Sequence, residues 1–192
     1  RLFAMNGIGF LIPLYLADVR GLGPALLGTM ASLSPGAMIV MVFVGGRISD
    51  RWGSRLPAVV GLGMQTVTAI AFCLLPETAP LWSVGSILAF YGLGNGFALA
   101  SLHHAALSGL SETQVGQASG LYSMLRFFGS VVGSALAGVV LAFLLDQRLS
   151  GLQAYQYGFL VFGGVALIGA AVGTRLGESR SRLVLQPAKG GS

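Results

Sequence analysis

The chain has 192 residues; 54% are hydrophobic, only 9% are charged, and the mean hydropathy is +0.80. A soluble domain carries about 25% charged residues, so this chain has too little charge to cover a water-facing surface and reads as an integral membrane protein. Its net charge of +5 is not a nucleic-acid footprint, because the arginines stand at the ends of apolar runs.

Six apolar runs follow one another: Leu2 to about Ala17, about Pro24 to Gly45, Leu56 to Leu75, Leu81 to about Leu102, about Ser119 to Leu145, and about Tyr157 to Leu176. A helix needs roughly 20 residues to cross a hydrocarbon core of about 30 Å. The spacing predicts an all-α membrane protein with six transmembrane helices. The first run is short for a span and opens at Arg1, without a signal-peptide pattern, which reads as a cut through a longer chain. The last stretch is polar and rich in Arg, Ser and Gly. It divides the chain into a membrane domain over residues 1–176 and a disordered cytoplasmic tail over 177–192. Cys73 is the single cysteine, so an intrachain disulfide is excluded.

Between the second and third runs lies GRISDRWGSR, Gly46 to Arg55, a short basic hairpin at a membrane face. Arg47, Arg51 and Arg55 against Asp50 give it a balance of +2. Arg175, Arg180, Arg182 and Lys189 against Glu178 give the tail +3. On the other side Asp18 cancels Arg20, Asp146 cancels Arg148, and Glu77 leaves −1. Basic loops stay cytoplasmic, so the Gly46–Arg55 hairpin and both ends of the chain are placed inside. The break at Pro76–Pro80 divides the spans into two sets of three. Two consecutive three-span units must have opposite membrane orientation, an inverted repeat.

Gly92 and Gly96, Gly116 and Gly120, Gly129 and Gly133, and Gly169 and Gly173 are each four residues apart, the spacing that lets membrane helices approach closely. GLGNG at Gly92–Gly96 is read in the same way. A dinucleotide fingerprint would need a preceding strand and a later acidic residue. Pro35–Gly36 predicts a kink in the second span.

The chemistry-bearing residues are few. No Gly-x-Ser-x-Gly, His-Glu-x-x-His or intramembrane acid pair is present, so an enzyme is not expected. His103 and His104 have no ligand-type neighbours and are read as interfacial; no metal site or cofactor is expected. No acidic residue lies near the middle of a span. Arg126 is the one charge inside a long apolar stretch, where it either snorkels or pairs with a carboxylate or helix end. Asn6, Tyr15, Ser34, Gln65, Tyr91 and Asn95, with Met30 and Phe97, are the polar, aromatic and adaptable residues within spans.

GRISDRWGSR resembles the signature loop of the major facilitator superfamily, Gly-x-x-x-Asp-Arg-x-Gly-x-Arg, with Gly46, Asp50, Arg51, Gly53 and Arg55 on its positions. Ser54 departs from the pattern, which favours a basic residue there. Ser-Pro-Gly at Ser34–Gly36 and QASGLYSMLRFFGSVVGSALAG at Gln117–Gly138 are similar to the drug:proton antiporter branch. The resemblance implies one half of the superfamily fold, the C-terminal six-helix half, built from two inverted three-helix repeats. It implies that the signature loop gates alternating access and that Arg126 falls on the branch's Arg. It also implies that the first, second, fourth and fifth spans line the cavity. That makes Asn6, Tyr15, Met30, Ser34, Tyr91, Asn95 and Phe97 the substrate-lining candidates and sets Gln65 aside. The expected function is proton-coupled efflux of amphipathic drug-like compounds from a bacterial plasma membrane, in a multi-pass protein. The alternatives are a metabolite or sugar carrier, or a transport-inactive scaffold. The implied partners are a small-molecule substrate, protons, the lipid bilayer and the chain's own N-terminal half, where the coupling carboxylates are expected; nucleic acid is not a partner.

Overall fold

The computed structural model describes residues 1–53, 55–107, 112–147 and 149–174, without the side chains of 50, 52, 100–107 and 112–115. It holds six helices: α1 Leu2–Asp18, α2 Pro24–Trp52, α3 Arg55–Leu74, α4 Leu81–Leu107, α5 Glu112–Asp146 and α6 Gly151–Gly173. No strand occurs among the described residues.

Local sequence sets the helix ends. α1 stops at Gly21, whose φ of 60° suits glycine and whose N–H returns to the Ala17 carbonyl at 3.1 Å. Pro24 opens α2, where its missing N–H costs nothing. Ser150 and Gln153 form a reciprocal capping box that starts α6. This cap explains why α6 begins six residues before the expected Tyr157.

The signature stretch is also more helical than expected. Gly46 to Trp52 forms the last two turns of α2, Gly53 lies outside the helix, and Arg55 already opens α3. Arg51 in the final turn complements the negative end of the helix dipole. At the next inner connection α4 reaches Leu107 and α5 restarts at Glu112. The side chains of His103 and His104 and the whole 175–192 tail lie outside the described residues.

The helices pack in a pattern that survives exchange of α1–α3 with α4–α6. α4 lies along α2 as α1 lies along α5, α3 meets α4 as α6 meets α1, and α3 and α6 pair with each other. The α2/α4 seam is parallel: a Cβ on Gly85 would touch Leu33, one on Gly92 would strike the Ser34 carbonyl, and one on Gly96 would come within 2.5 Å of the Met38 carbonyl. The α1/α5 seam is parallel too, with Gly133 seated on the Phe3 backbone and Gly138 beside Phe10. This matched exchange is the inverted three-helix repeat in physical form.

Glycine pairs therefore divide. Gly92 and Gly96 meet backbone, while a Cβ on Gly116 or Gly120 would meet nothing within 4 Å. Between α3 and α6, Gly163 faces Ala69 and Gly173 faces Val59. The outer part of the core is aromatic. Phe72 and Phe159 stack at 4.8 Å, and Tyr15 meets Phe72, Tyr155 and Phe159 edge-on.

α2, α3, α5 and α6 are long and apolar enough to cross a membrane, and α1 is a shorter apolar helix. α2 and α5 present apolar side chains outward, Phe43, Met124, Phe127 and Phe128 among them. Water would make such a surface costly, whereas lipid or another apolar helix accepts it.

Candidate functional site

Hydrogen bonds fix which connections share a face. Arg20, between α1 and α2, donates to the carbonyls of Pro76, Glu77 and Ala79 in the α3–α4 connection. Asp18, at the end of α1, accepts from Tyr155 near the start of α6 at 2.5 Å. The three connections carrying little or no positive charge therefore lie together at one end. The Arg-rich α2–α3 turn lies at the other, in agreement with the charge-based orientation. The outer end also holds a cavity of about 300 Å³ lined by Asp18, Glu77, Leu145, Leu152 and Tyr155.

In sequence, Asp18 and Arg20 register only as cancelling charges. In the fold Arg20 gathers three loop carbonyls with a planar fork. Lysine would keep the charge and lose that geometry. Arg20→Lys is expected to lower stability by about 1–2 kcal/mol, read as a reduced melting temperature in detergent; wild-type melting would show that the clamp is dispensable.

At the inner end Gly53 stops α2 with φ 82° and ψ 165°, a conformation essentially restricted to glycine, and its N–H returns to the Ser49 carbonyl at 3.0 Å. Gly46 directly follows Gly45, which packs against Phe97, and a Cβ on Gly46 would meet nothing within 4 Å. Arg47, Arg51 and Arg55 are exposed. Asp50 occupies the last turn of α2, and its side chain lies outside the described residues.

Between the two ends runs a thin polar belt. The Gln65 amide on α3 donates to the Asn95 side chain on α4 at 2.6 Å; they are 0% and 2% exposed. One turn earlier on α4, the Tyr91 hydroxyl donates to the Met5 carbonyl of α1 at 2.5 Å, where Gly9 leaves room for it. Asn6 donates to its own helix at Leu2. The Arg126 guanidinium is half-buried, lies over the Tyr122 ring at 5.6 Å, and keeps its Nε buried without a partner.

The expected lining residues thus separate by position. Asn6, Met30 and Ser34 are half-buried on α1 and α2, and Tyr91 bridges α1 and α4. Tyr15 is wholly enclosed by the outer aromatic cluster, Phe97 packs against Gly45, and Asn95 is sealed against Gln65. Gln65, set aside with the third span, is fully buried, because α3 turns it toward Asn95 on α4. The partners of Asp18, Arg20 and Gln65 lie 137, up to 59 and 30 residues away in sequence, and no periodicity carries that information.

Residues 2–134 match the Major Facilitator Superfamily. The chain is 27% identical over 149 residues to the drug efflux pump JefA of Mycobacterium tuberculosis, covering 77% of this chain and 29% of JefA. It is 31% identical over 152 residues to the quinolone resistance protein NorB of Staphylococcus aureus, covering 76% and 32%. It is also 23% identical over 133 residues to the riboflavin transporter RibZ of Clostridioides difficile, covering 69% and 29%. The chain spans about a third of the length of these curated relatives. No solved structure matches it. Apolar helices, paired three-helix units and the matched residues lead to one assignment: the chain belongs to the Major Facilitator Superfamily and is a multi-pass bacterial membrane protein resembling the drug efflux branch.

Proposed function

We propose that this chain is the C-terminal six-helix half of a secondary transporter that expels amphipathic drug-like compounds in exchange for protons. The observation that carries this reading is its similarity, over about three quarters of its length, to proteins named for drug efflux and quinolone resistance. The polar belt adds support, since a few hydrogen-bonding groups amid apolar helices suit substrates that are themselves mostly apolar. In this reading the N-terminal half covers the apolar faces of α2 and α5 and supplies the coupling carboxylates. Gly46, Asp50, Arg51, Gly53 and Arg55 act at the inner gate, and Asn6, Met30, Ser34 and Tyr91 face the route. The similarity to RibZ favours a second reading, a carrier of a metabolite such as riboflavin.

Vesicles containing the full-length protein separate the two. Under an imposed pH gradient, ethidium is expected to be transported and a protonophore to abolish the transport. Ethidium movement unchanged by the protonophore would remove proton coupling. Riboflavin movement without ethidium movement would establish the carrier instead.

A further inference from the structure

Apart from the exposed Arg47, Arg51 and Arg55 at its rim, the inner half of the bundle holds two half-buried arginines and no carboxylate among the described side chains. Arg1 precedes α1, and its half-buried side chain lies within electrostatic reach of Arg126, Tyr122 and Tyr91. Arg1 Nη1 and Arg126 Nε are both buried without a hydrogen-bond partner. Among the described residues the carboxylate side chains are Asp18 and Asp146, at the ends of α1 and α5, and Glu77, in the α3–α4 connection, all on the outer face. Twenty helical residues, about 30 Å, separate Asp146 from Arg126 along α5.

The neighbouring polar groups do not neutralise this charge. The Tyr91 hydroxyl proton is directed to the Met5 carbonyl, and the Asn6 amide hydrogen to Leu2. The Tyr122 ring attracts Arg126 through its face. A ring on the guanidinium face leaves the edge free, and the edge carries the in-plane N–H fork that matches a carboxylate. Nε, the buried unpartnered atom, belongs to that edge. Like charges gathered at membrane depth are costly unless a counter-charge joins them.

We propose that Arg126 and Arg1, with Tyr122 against the face of Arg126, hold a carboxylate in the inner half of the membrane. The inference rests on the reading as half of an efflux transporter, and it specifies that reading. The carboxylate comes either from the substrate, making amphipathic aromatic acids and zwitterions the preferred cargo, or from an acidic side chain elsewhere in the full-length protein. Both sources use the same forked chemistry.

The test compares 2-naphthoate with 2-naphthamide, isosteric probes differing in charge, for binding to the full-length protein in lipid nanodiscs. With a substrate carboxylate, naphthoate is expected to bind about tenfold or more tightly than the amide. Arg126→Gln should abolish that preference, and Arg126→Lys or Arg1→Gln should reduce it. With an internal carboxylate, neither probe is preferred, Arg126→Gln melts lower than wild type, and neutralising one acidic residue elsewhere in the chain restores the loss. A naphthoate preference that survives Arg126→Gln overturns the proposal. So does the absence of any preference if the arginine variants melt like wild type, or melt lower with no acidic neutralisation restoring them. Ethidium transport in parallel vesicles reports separately on the efflux reading, because it does not require a carboxylate.

Discussion

Gly92→Ala is expected to unseat α2 from α4 and leave little folded protein in detergent. The added methyl would lie on the Ser34 carbonyl, and neither partner in that contact is a side chain able to rotate away. Overpacking costs about 1–3 kcal/mol when neighbours can shift. Here two helix backbones would have to separate along a seam that continues through Gly96 and Gly45, so the upper end of that range or more is expected. Gly120→Ala is the matched control. Nothing lies within 4 Å of its Cβ position, and alanine is the better helix former by about 1 kcal/mol. Thermal unfolding of the two variants should diverge, with Gly92→Ala lower and Gly120→Ala equal to or above wild type. Equal melting of Gly92→Ala and wild type would mean that the α2/α4 approach is looser than described.

Asp50→Asn is expected to leave the fold intact and reduce transport by the full-length protein severalfold. Asp50 stands in the last turn of α2, at the negative end of its own helix dipole, where a carboxylate is disfavoured. Neutralising it therefore costs the isolated helix nothing and is predicted to stabilise it slightly. A charge that its own helix disfavours is best explained by a partner elsewhere that is present in one transport state. A contact of that kind contributes about 0.3–2 kcal/mol, and at about 1.4 kcal/mol per tenfold it shifts the inward–outward balance severalfold or more. Vesicle transport and a distance distribution measured across the inner mouth provide the check. Wild-type values in both would leave the signature stretch only its role in orientation.

Much of this fold is legible in the sequence. Run length set the number of helices, and the arginines of the Gly46–Arg55 stretch set their direction. The ends were less legible: Gly46 to Trp52 looked like a loop because it is polar and contains glycine, yet nothing before Gly53 forces the backbone out of helix. Glycine spacing was likewise ambiguous, since Gly92–Gly96 and Gly116–Gly120 look alike until the facing surface is known. The polar belt was the hardest part to read. Asn95 was recognised as an unusual residue within a span, but its partner Gln65 could not be assigned without knowing how α3 and α4 face each other. Arg20 carries a charge that composition counts and a geometry that composition cannot contain.

The seat of Gly133 on the Phe3 backbone also has a mechanical consequence. α5 has 35 residues, which makes it a rod of about 52 Å, and Gly133 lies about 32 Å from its inner tip. A close contact between backbones resists translation more than rotation, so it behaves as a fulcrum. Tilting the rod by about 10° on that point sweeps its inner tip through about 5 Å, the rise of one helical turn. The outer arm is shorter and moves less. In the transport cycle proposed above, leverage of this kind would turn a small rotation near Gly133 into a wide displacement at the inner end of α5.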